Sequence, residues 1–357
     1  MANEHGLSAR AEPVAADGAP GADCVLVAGN SRSGTTMLAR MLGRHSAVTA
    51  LQELHFVEEH WTPGEEALPR EAAVRLAERL LHNAREWYHT PFRPGRFAPD
   101  AEAVVARCLV DRPDGRVPAA AVLTGVLAHE AQAAGRRVAV EQTPRNVFFL
   151  RSLLEEVPGA VGVVLVRDPR DVMLSQKNWW RRRFRGTTGV PLVTTLRQWA
   201  DYHPLTTSLI WRGGARAGLR AGTHPRVVSL RFEDLVTEPA AELARVLDRV
   251  GLSAEPAMLD APRISSSNAG DRGGTGVDPT VVGRWRDGLD RAEVWINQRV
   301  TAAEARELGY APVDVGLPLP GLLWYALTWA PRTLLAVALN RSRTRSLVSS
   351  VRRRLVP

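Results

Sequence analysis

Short apolar runs alternate with stretches of helical periodicity along this chain. Residues 23–29 (DCVLVAG) form an apolar run of strand length, NSRSG follows, and in TTMLARMLGRH (35–45) the apolar positions recur at helical spacing. That order predicts strand, loop, helix. Further apolar runs that close on polar residues lie at Arg137 to Glu141, Ala160 to Val166 and Arg226 to Leu230. Helical patterns cover Ala119 to Ala134, Asn146 to Glu156 and Asp168 to Arg183. Strands alternating with helices predict an α/β fold of three layers, with a central parallel sheet covered on both faces. Residues 61–135 carry helical patterns (Arg70 to Tyr88, Ala119 to Ala134) around a Pro/Arg-rich stretch, which reads as a helical insertion after the second strand, a candidate lid.

Composition narrows this only a little. The 357 residues suffice for one large α/β domain or two ordinary ones, and 45% hydrophobic with 24% charged residues is the balance of a soluble globular protein. A net charge of +8 fits a nucleic-acid binder, a membrane-surface protein or an enzyme for polyanionic substrates, and cannot choose among them. Cys24 and Cys108 are far apart, so neither a disulfide framework nor a zinc site is indicated, and a reducing compartment fits. Residues 1–22 are polar and rich in Ala, Gly and Pro, without a basic start and apolar run, and read as a disordered tail. After Pro312 the character changes again. Residues 313–357 form an appendage, first apolar and then basic.

The candidate chemistry begins at Gly29-Asn30-Ser31-Arg32-Ser33-Gly34-Thr35-Thr36. A GxxxxG frame between strand and helix exposes backbone N–H groups where the helix dipole favours a phosphate; the simpler reading is a Ser/Gly turn that caps the helix. Thr35 stands where a nucleotide triphosphatase has its Lys, and the positive charge sits earlier, at Arg32. The strand ending at Val166 closes on Arg167, where a triphosphatase would place an acid for Mg²⁺. These two reversals predict a ligand with two separated phosphate groups and no metal.

The runs SRSGTTML and RDPRDVMLS, the Arg231-Phe232-Glu233-Asp234-Leu235 segment and Gly283-Arg284-Trp285, in this order over Val25 to Leu289, resemble the sulfotransferases that use 3′-phosphoadenylyl sulfate (PAPS), most of all the bacterial and tyrosylprotein or carbohydrate branch. The resemblance implies a P-loop-like domain over 23–312. Arg32, Ser33, Gly34, Thr35 and Thr36 would surround the 5′-phosphosulfate, and Arg167 with Ser175, eight positions on, would hold the 3′-phosphate. Arg32 offers forked donors suited to phosphate and sulfate oxygens. Taken singly, Arg167 could instead pair with Asp168 or Asp171, and Ser175 could be an ordinary helix-surface residue.

Sulfuryl transfer also needs a base beside the acceptor and positive charge opposite the leaving phosphate. The family's catalytic glutamate lies just beyond the second strand, which makes Glu53 the candidate base; His55 is its rival, since histidine serves in the cytosolic branch from another segment. Where the family has a Lys, in a motif like EKTPxN, this chain reads Glu141-Gln142-Thr143-Pro144-Arg145-Asn146. Either Arg145 or Arg32 supplies the missing charge, or catalysis is weakened. Phe232 replaces a common Tyr. Arg272 and Arg284 fall in the region that the resemblance places over the nucleotide, by composition a flexible loop from Ser265 to Gly276.

Trp179, Trp180 and Arg181 to Arg183 make a basic, aromatic cluster that reads as a solvent-facing helix end or part of an acceptor surface rather than a nucleic-acid site. From Leu317 to Leu339 the chain is nearly all apolar, but Pro318, Pro320, Pro331 and Arg332 predict a broken helix, poor as a membrane span. Leu347, Val348, Val351 and Leu355 among Arg341, Arg343, Arg345 and Arg352 to Arg354 have the pattern of an interfacial helix. The expectation is a cytoplasmic PAPS-dependent sulfotransferase at the inner face of the membrane, with residues 317–357 in contact with lipid or packed on the enzyme or a second copy. The acceptor, a hydroxyl or amine, is left open among small molecule, glycan, lipid and peptide. Two other classes stay open: a P-loop kinase, which the loop Thr35 and Arg167 oppose, and a non-catalytic nucleotide-binding protein, which Gln142 favours.

Overall fold

The computed structural model of the chain describes residues 22–86, 90–185, 191–262 and 274–340. Its first strand, β1 (Cys24–Gly29), is buried at every position, as a strand covered on two sides must be. Next come α1 (Thr35–Leu42), β2 (Val48–Ala50), α2 (Phe56–Glu59), β3 (Leu68–Pro69), α3 (Arg70–Arg85), α4 (Ala98–Leu109), β4 (Arg116–Val117) and α5 (Ala119–Ala133). The middle of the chain forms β5 (Val138–Gln142), α6 (Leu150–Glu156), β6 (Ala160–Val166), α7 (Pro169–Lys177), α8 (Leu192–Ala200), α9 (Pro204–Gly222) and β7 (Val227–Arg231). The remaining helices are α10 (Phe232–Thr237), α11 (Pro239–Val250), α12 (Trp285–Gly288), α13 (Arg291–Glu307) and α14 (Leu319–Asn340).

Five strands pair in the order β2-β5-β1-β6-β7, all parallel. Alternation along β1 divides the core. Cys24, Leu26 and Ala28 pack with apolar residues of α3, α4, α5, α6 and α9, while Val25 and Val27 pack with those of α1, α10 and α11. These are the expected three layers. From the central β1 the chain first builds β2 and β5 on one side, then crosses to β6 and β7 on the other. In such a sheet the loops beyond the strands' carboxyl ends, where the order reverses, form the binding crevice.

Helices α3, α4 and α5 of the 61–135 insertion lie in the same core as Leu26 and Ala28. A two-residue antiparallel pair, β3 with β4, brackets α3 and α4; runs of two residues are too short to register in periodicity. Elsewhere the expected helices are interrupted. The 146–156 helix divides into a 3₁₀ turn, Pro144–Phe148, and α6, with Phe149 between them outside the helical region at φ −127°, ψ 8°. The 168–183 helix ends at Lys177 and gives way to a 3₁₀ turn over Trp179–Arg185. In contrast, α14 runs unbroken through Pro331, correcting the expected break. Pro318 precedes it and Pro320 lies in its first turn, where a missing N–H costs nothing, so only Pro331 is interior. By length and composition α14 could cross a membrane. The expected tail (but for Ala22), Arg272 and the basic 341–357 segment lie outside the described residues.

Candidate functional site

β1 ends at Gly29, and a Cβ there would sit 2.2 Å from the Leu165 carbonyl oxygen of β6, so only glycine lets the strands close at this point. The loop that follows turns through two positive φ values, +75° at Arg32 and +94° at Gly34. Gly34 caps α1 with no side-chain hydrogen bond, which leaves the first N–H groups of the helix to another acceptor. A Cβ at Gly34 would lie 2.5 Å from the Phe232 ring. Asn30 fixes the other end: its Nδ2 donates to the Trp211 carbonyl at 3.1 Å, and Trp211 Nε1 donates to the Arg167 carbonyl at 3.0 Å. Helix α9 thus ties the loop to the end of β6.

Around this loop the sequence-predicted donors converge. Arg32 Nε donates to Ser175 Oγ at 3.0 Å, and its guanidinium stands 5.4 Å from the centre of the Trp179 ring. Arg167 donates through Nη1 to the Arg32 carbonyl (3.3 Å) and through Nη2 to the Val281 carbonyl (3.2 Å), with its guanidinium 4.2 Å from the Phe232 ring. Of the buried side-chain groups without a partner among the described residues, Ser33 Oγ and Arg167 Nε lie at this loop, with Trp179 Nε1 nearby. Buried polar groups are nearly always paired, so two orphans beside a helix N-terminus fit an absent acceptor of negative charge. Desolvation pushes the Arg167 pKa down against the pull of Asp171, Glu233 and Asp168, and a bound anion would relieve this strain on the cation. Arg32, Ser33, Gly34, Thr35, Arg167 and Ser175 therefore share one place; Thr36 is exposed one residue into α1.

Glu53 and His55 follow β2 at the neighbouring edge. His55 Nε2 lies 3.4 Å from Glu53 Oε2, and the half-exposed Glu53 is the more accessible of the two. Gln142, at the end of β5, connects this carboxylate to the phosphate loop: its Nε2 donates to Thr35 Oγ1 at 3.1 Å and lies 3.5 Å from Glu53 Oε1. One amide thus spans the gap between the two halves of the site. Behind it, buried Glu141 accepts from Leu54 N (3.2 Å), from Asn146 Nδ2 (2.7 Å) and from the Thr143 hydroxyl. Thr143 Oγ1 in turn accepts from His55 N at 3.3 Å, and Asn83 Nδ2 donates to the Leu54 carbonyl at 2.9 Å. The turn that presents Glu53 is suspended from these side chains, with His55 itself held at φ +54°. Burial pushes the Glu141 carboxyl up to about 7, over the opposing effect of Thr143 and Leu54.

Arg145 is exposed on the 3₁₀ turn after β5. Arg284 donates to the Thr280 carbonyl and hydroxyl, each at 2.9 Å. Phe232 has its own part: its ring fills the space under Arg167 and against Gly34, where a hydroxyl is not what the packing uses. Asn30, Trp211 and Glu141 join the site only through the fold: Glu141 comes to lie behind Glu53, and nothing in the sequence links Trp211 to Arg167. Beyond Ser175, Lys177 and Trp180 help to line a cavity of about 260 Å³, closed on its far side by Trp324, Tyr325 and Arg332 of α14.

Residues 24–256 match the profile described as the sulfotransferase family. The chain is 30% identical over 312 residues to the nodulation protein NoeE of Sinorhizobium fredii (strain NBRC 101917 / NGR234), an alignment that covers 80% of this chain and 65% of that relative's length. Among solved structures, the sulfotransferase domain from the Synechococcus PCC 7002 olefin synthase superposes with a TM-score of 0.48 at 20% identity, covering 82% of this chain and 96% of that one. The sulfotransferase domain from the curacin biosynthetic pathway gives 0.46 at 18% identity, over 83% and 99%.

Proposed function

The chain belongs to the sulfotransferase family, and on that premise we propose that it moves a sulfuryl group from PAPS to a hydroxyl or amine of its acceptor. The observation that carries this reading is the pair of orphaned donors, Ser33 Oγ and Arg167 Nε, gathered with Arg32 and Ser175 at the head of α1.

In the proposed reaction Glu53 accepts the proton of the acceptor hydroxyl as its oxygen bonds to sulfur. The bond between sulfur and the 5′-phosphate oxygen breaks in line, and 3′-phosphoadenosine 5′-phosphate (PAP) leaves. Arg32, the Thr35 hydroxyl and the first N–H groups of α1 meet the charge that collects on the departing phosphate. Gln142 takes the place of a cation here: it orients Thr35 and Glu53 without contributing charge. Arg167 and Ser175 hold the 3′-phosphate, which makes PAP a better ligand than a nucleotide lacking that group. Thermal unfolding of the full chain tests this. PAP at about 100 times its Kd is expected to raise stability by roughly 2.7 kcal/mol, with no comparable rise for ATP–Mg²⁺; equal stabilisation by ATP–Mg²⁺ would favour a kinase instead.

A cytoplasmic location, with residues 317–357 against the inner face of the membrane, forms the second part of the proposal. The reducing-compartment pattern of two free cysteines and the arginines after Asn340 support it.

A further inference from the structure

Helix α14 is built the wrong way round for water. The side that faces the protein carries its polar groups: Tyr325 Oη donates to Asp290 Oδ2 (2.8 Å), Trp329 Nε1 to Thr206 Oγ1 (3.1 Å), Arg332 Nη1 to the Tyr202 carbonyl (2.8 Å) and Asn340 Nδ2 to Asp201 Oδ1 (2.8 Å). The outward side is a stripe of leucines at four-residue and seven-residue steps, Leu319, Leu323, Leu327 and Leu334, exposed by 56%, 70%, 74% and 70%. Leu192, Val193 and Leu196 of the adjoining α8 extend it with further exposed apolar surface. Soluble amphipathic helices do the reverse, and contiguous apolar surface on this scale marks an interaction site.

From this arrangement we infer that the outer face of α14, with α8, is a docking surface for an anionic lipid bilayer, on which the helix lies in the plane of the membrane. The inference rests on the membrane contact proposed above and adds which surface makes it and how. Trp199, Trp324 and Trp329, all partly exposed, flank the leucines as aromatic side chains do at the level of lipid headgroups. The 17 residues after Asn340 contain six arginines and no Asp or Glu, complementary to anionic lipid and repulsive between two copies of the chain. At about 1.5 Å per residue the 22 residues could span a hydrocarbon core. Spanning would break the hydrogen bonds that hold α14 to the enzyme from Tyr325 to Asn340, whereas lying flat keeps them and buries only the leucines.

Flotation of the full chain with vesicles of phosphatidylglycerol and phosphatidylcholine tests the assignment. The wild type is expected to float with the vesicles, and the Leu323→Glu/Leu327→Glu/Leu334→Glu variant to lose roughly tenfold or more of that partitioning. Leu327→Glu alone should shift it the same way, and PAP should still stabilise both variants, showing that they are folded. Three results would overturn the inference. If the triple variant floats as the wild type does, while Arg→Gln changes at the six tail arginines abolish flotation, the membrane contact stands but belongs to the tail. If the wild type fails to float, both readings fall. If light scattering shows a wild-type dimer that the leucine changes dissociate, a second copy covers this face.

Discussion

Glu53 is the residue on which the proposed chemistry depends most, and its neighbours say what replacing it should do. Glu53→Gln keeps the size and the Gln142 contact but cannot take a proton, so kcat should fall by about 10² to 10⁴ while PAP stabilises the variant as before. Arg167→Gln should act on the other axis. Loss of a charge-assisted contact to the 3′-phosphate is worth about 1.5–3 kcal/mol, a rise in the PAP Kd of at least roughly tenfold, measurable by calorimetry. Glu141 gives a pH signature. Its carboxyl is raised from 4.5 to about 7 in the folded chain, so between these values the native state holds a proton that the unfolded state has lost. Stability from this group is fully present below about pH 4.5 and is lost as pH rises through 7, by on the order of 3 kcal/mol in all. Thermal melts of Glu141→Gln should lack that part of the slope; an unchanged slope would assign it elsewhere. Sequence proposed Glu53 by its place after β2 and Arg167 by its charge at a strand end. It could not find Glu141, because the hydrogen bonds that join it to residues 54, 143 and 146 cross from one strand end to another.

Among the elements, the phosphate loop was the most legible, because glycine at fixed spacing between a strand and a helix is a local signal. Its strictness is a matter of contacts. Gly34→Ala would meet the Phe232 ring at 2.5 Å and also force a side chain into φ +94°. It should cost about 2 kcal/mol or more in urea unfolding and abolish PAP binding; tolerance of the change with PAP binding intact would contradict the loop's proposed role. The strands β5, β6 and β7 were found within a residue or so, since parallel strands covered on both faces are continuous apolar runs. Helix ends were less legible. Asn146 to Glu156 kept its periodicity through a 3₁₀ turn, and α14 kept its helix through Pro331, where hydrogen bonds from Arg197 of α8 to the Leu339 carbonyl, from Trp329 to Thr206 of α9 and from Arg332 to the Tyr202 carbonyl hold it on both sides of the proline.

At the scale of the whole molecule, alternation of strands and helices announced three layers, but not how the site would be assembled across them. β1 supplies the loop, β6 and α7 the Arg167 and Ser175 pair, β2 and β5 the Glu53 and Gln142 pair, and α9 ties the first two together through Asn30 and Trp211. Such convergence lies in the strand order β2-β5-β1-β6-β7, which residue patterns do not encode. Every proposed catalytic group thus lies beyond the carboxyl ends of the strands, in one site that a single assay addresses. PAPS labelled with ³⁵S is incubated with the full chain and a cell extract, and label transfer is compared between wild type and Glu53→Ala. The account predicts a labelled acceptor and released PAP with the wild type, and at least a hundredfold less of both with the variant. Transfer that proceeds equally with both proteins, or no transfer by a wild type that binds PAP, would contradict it.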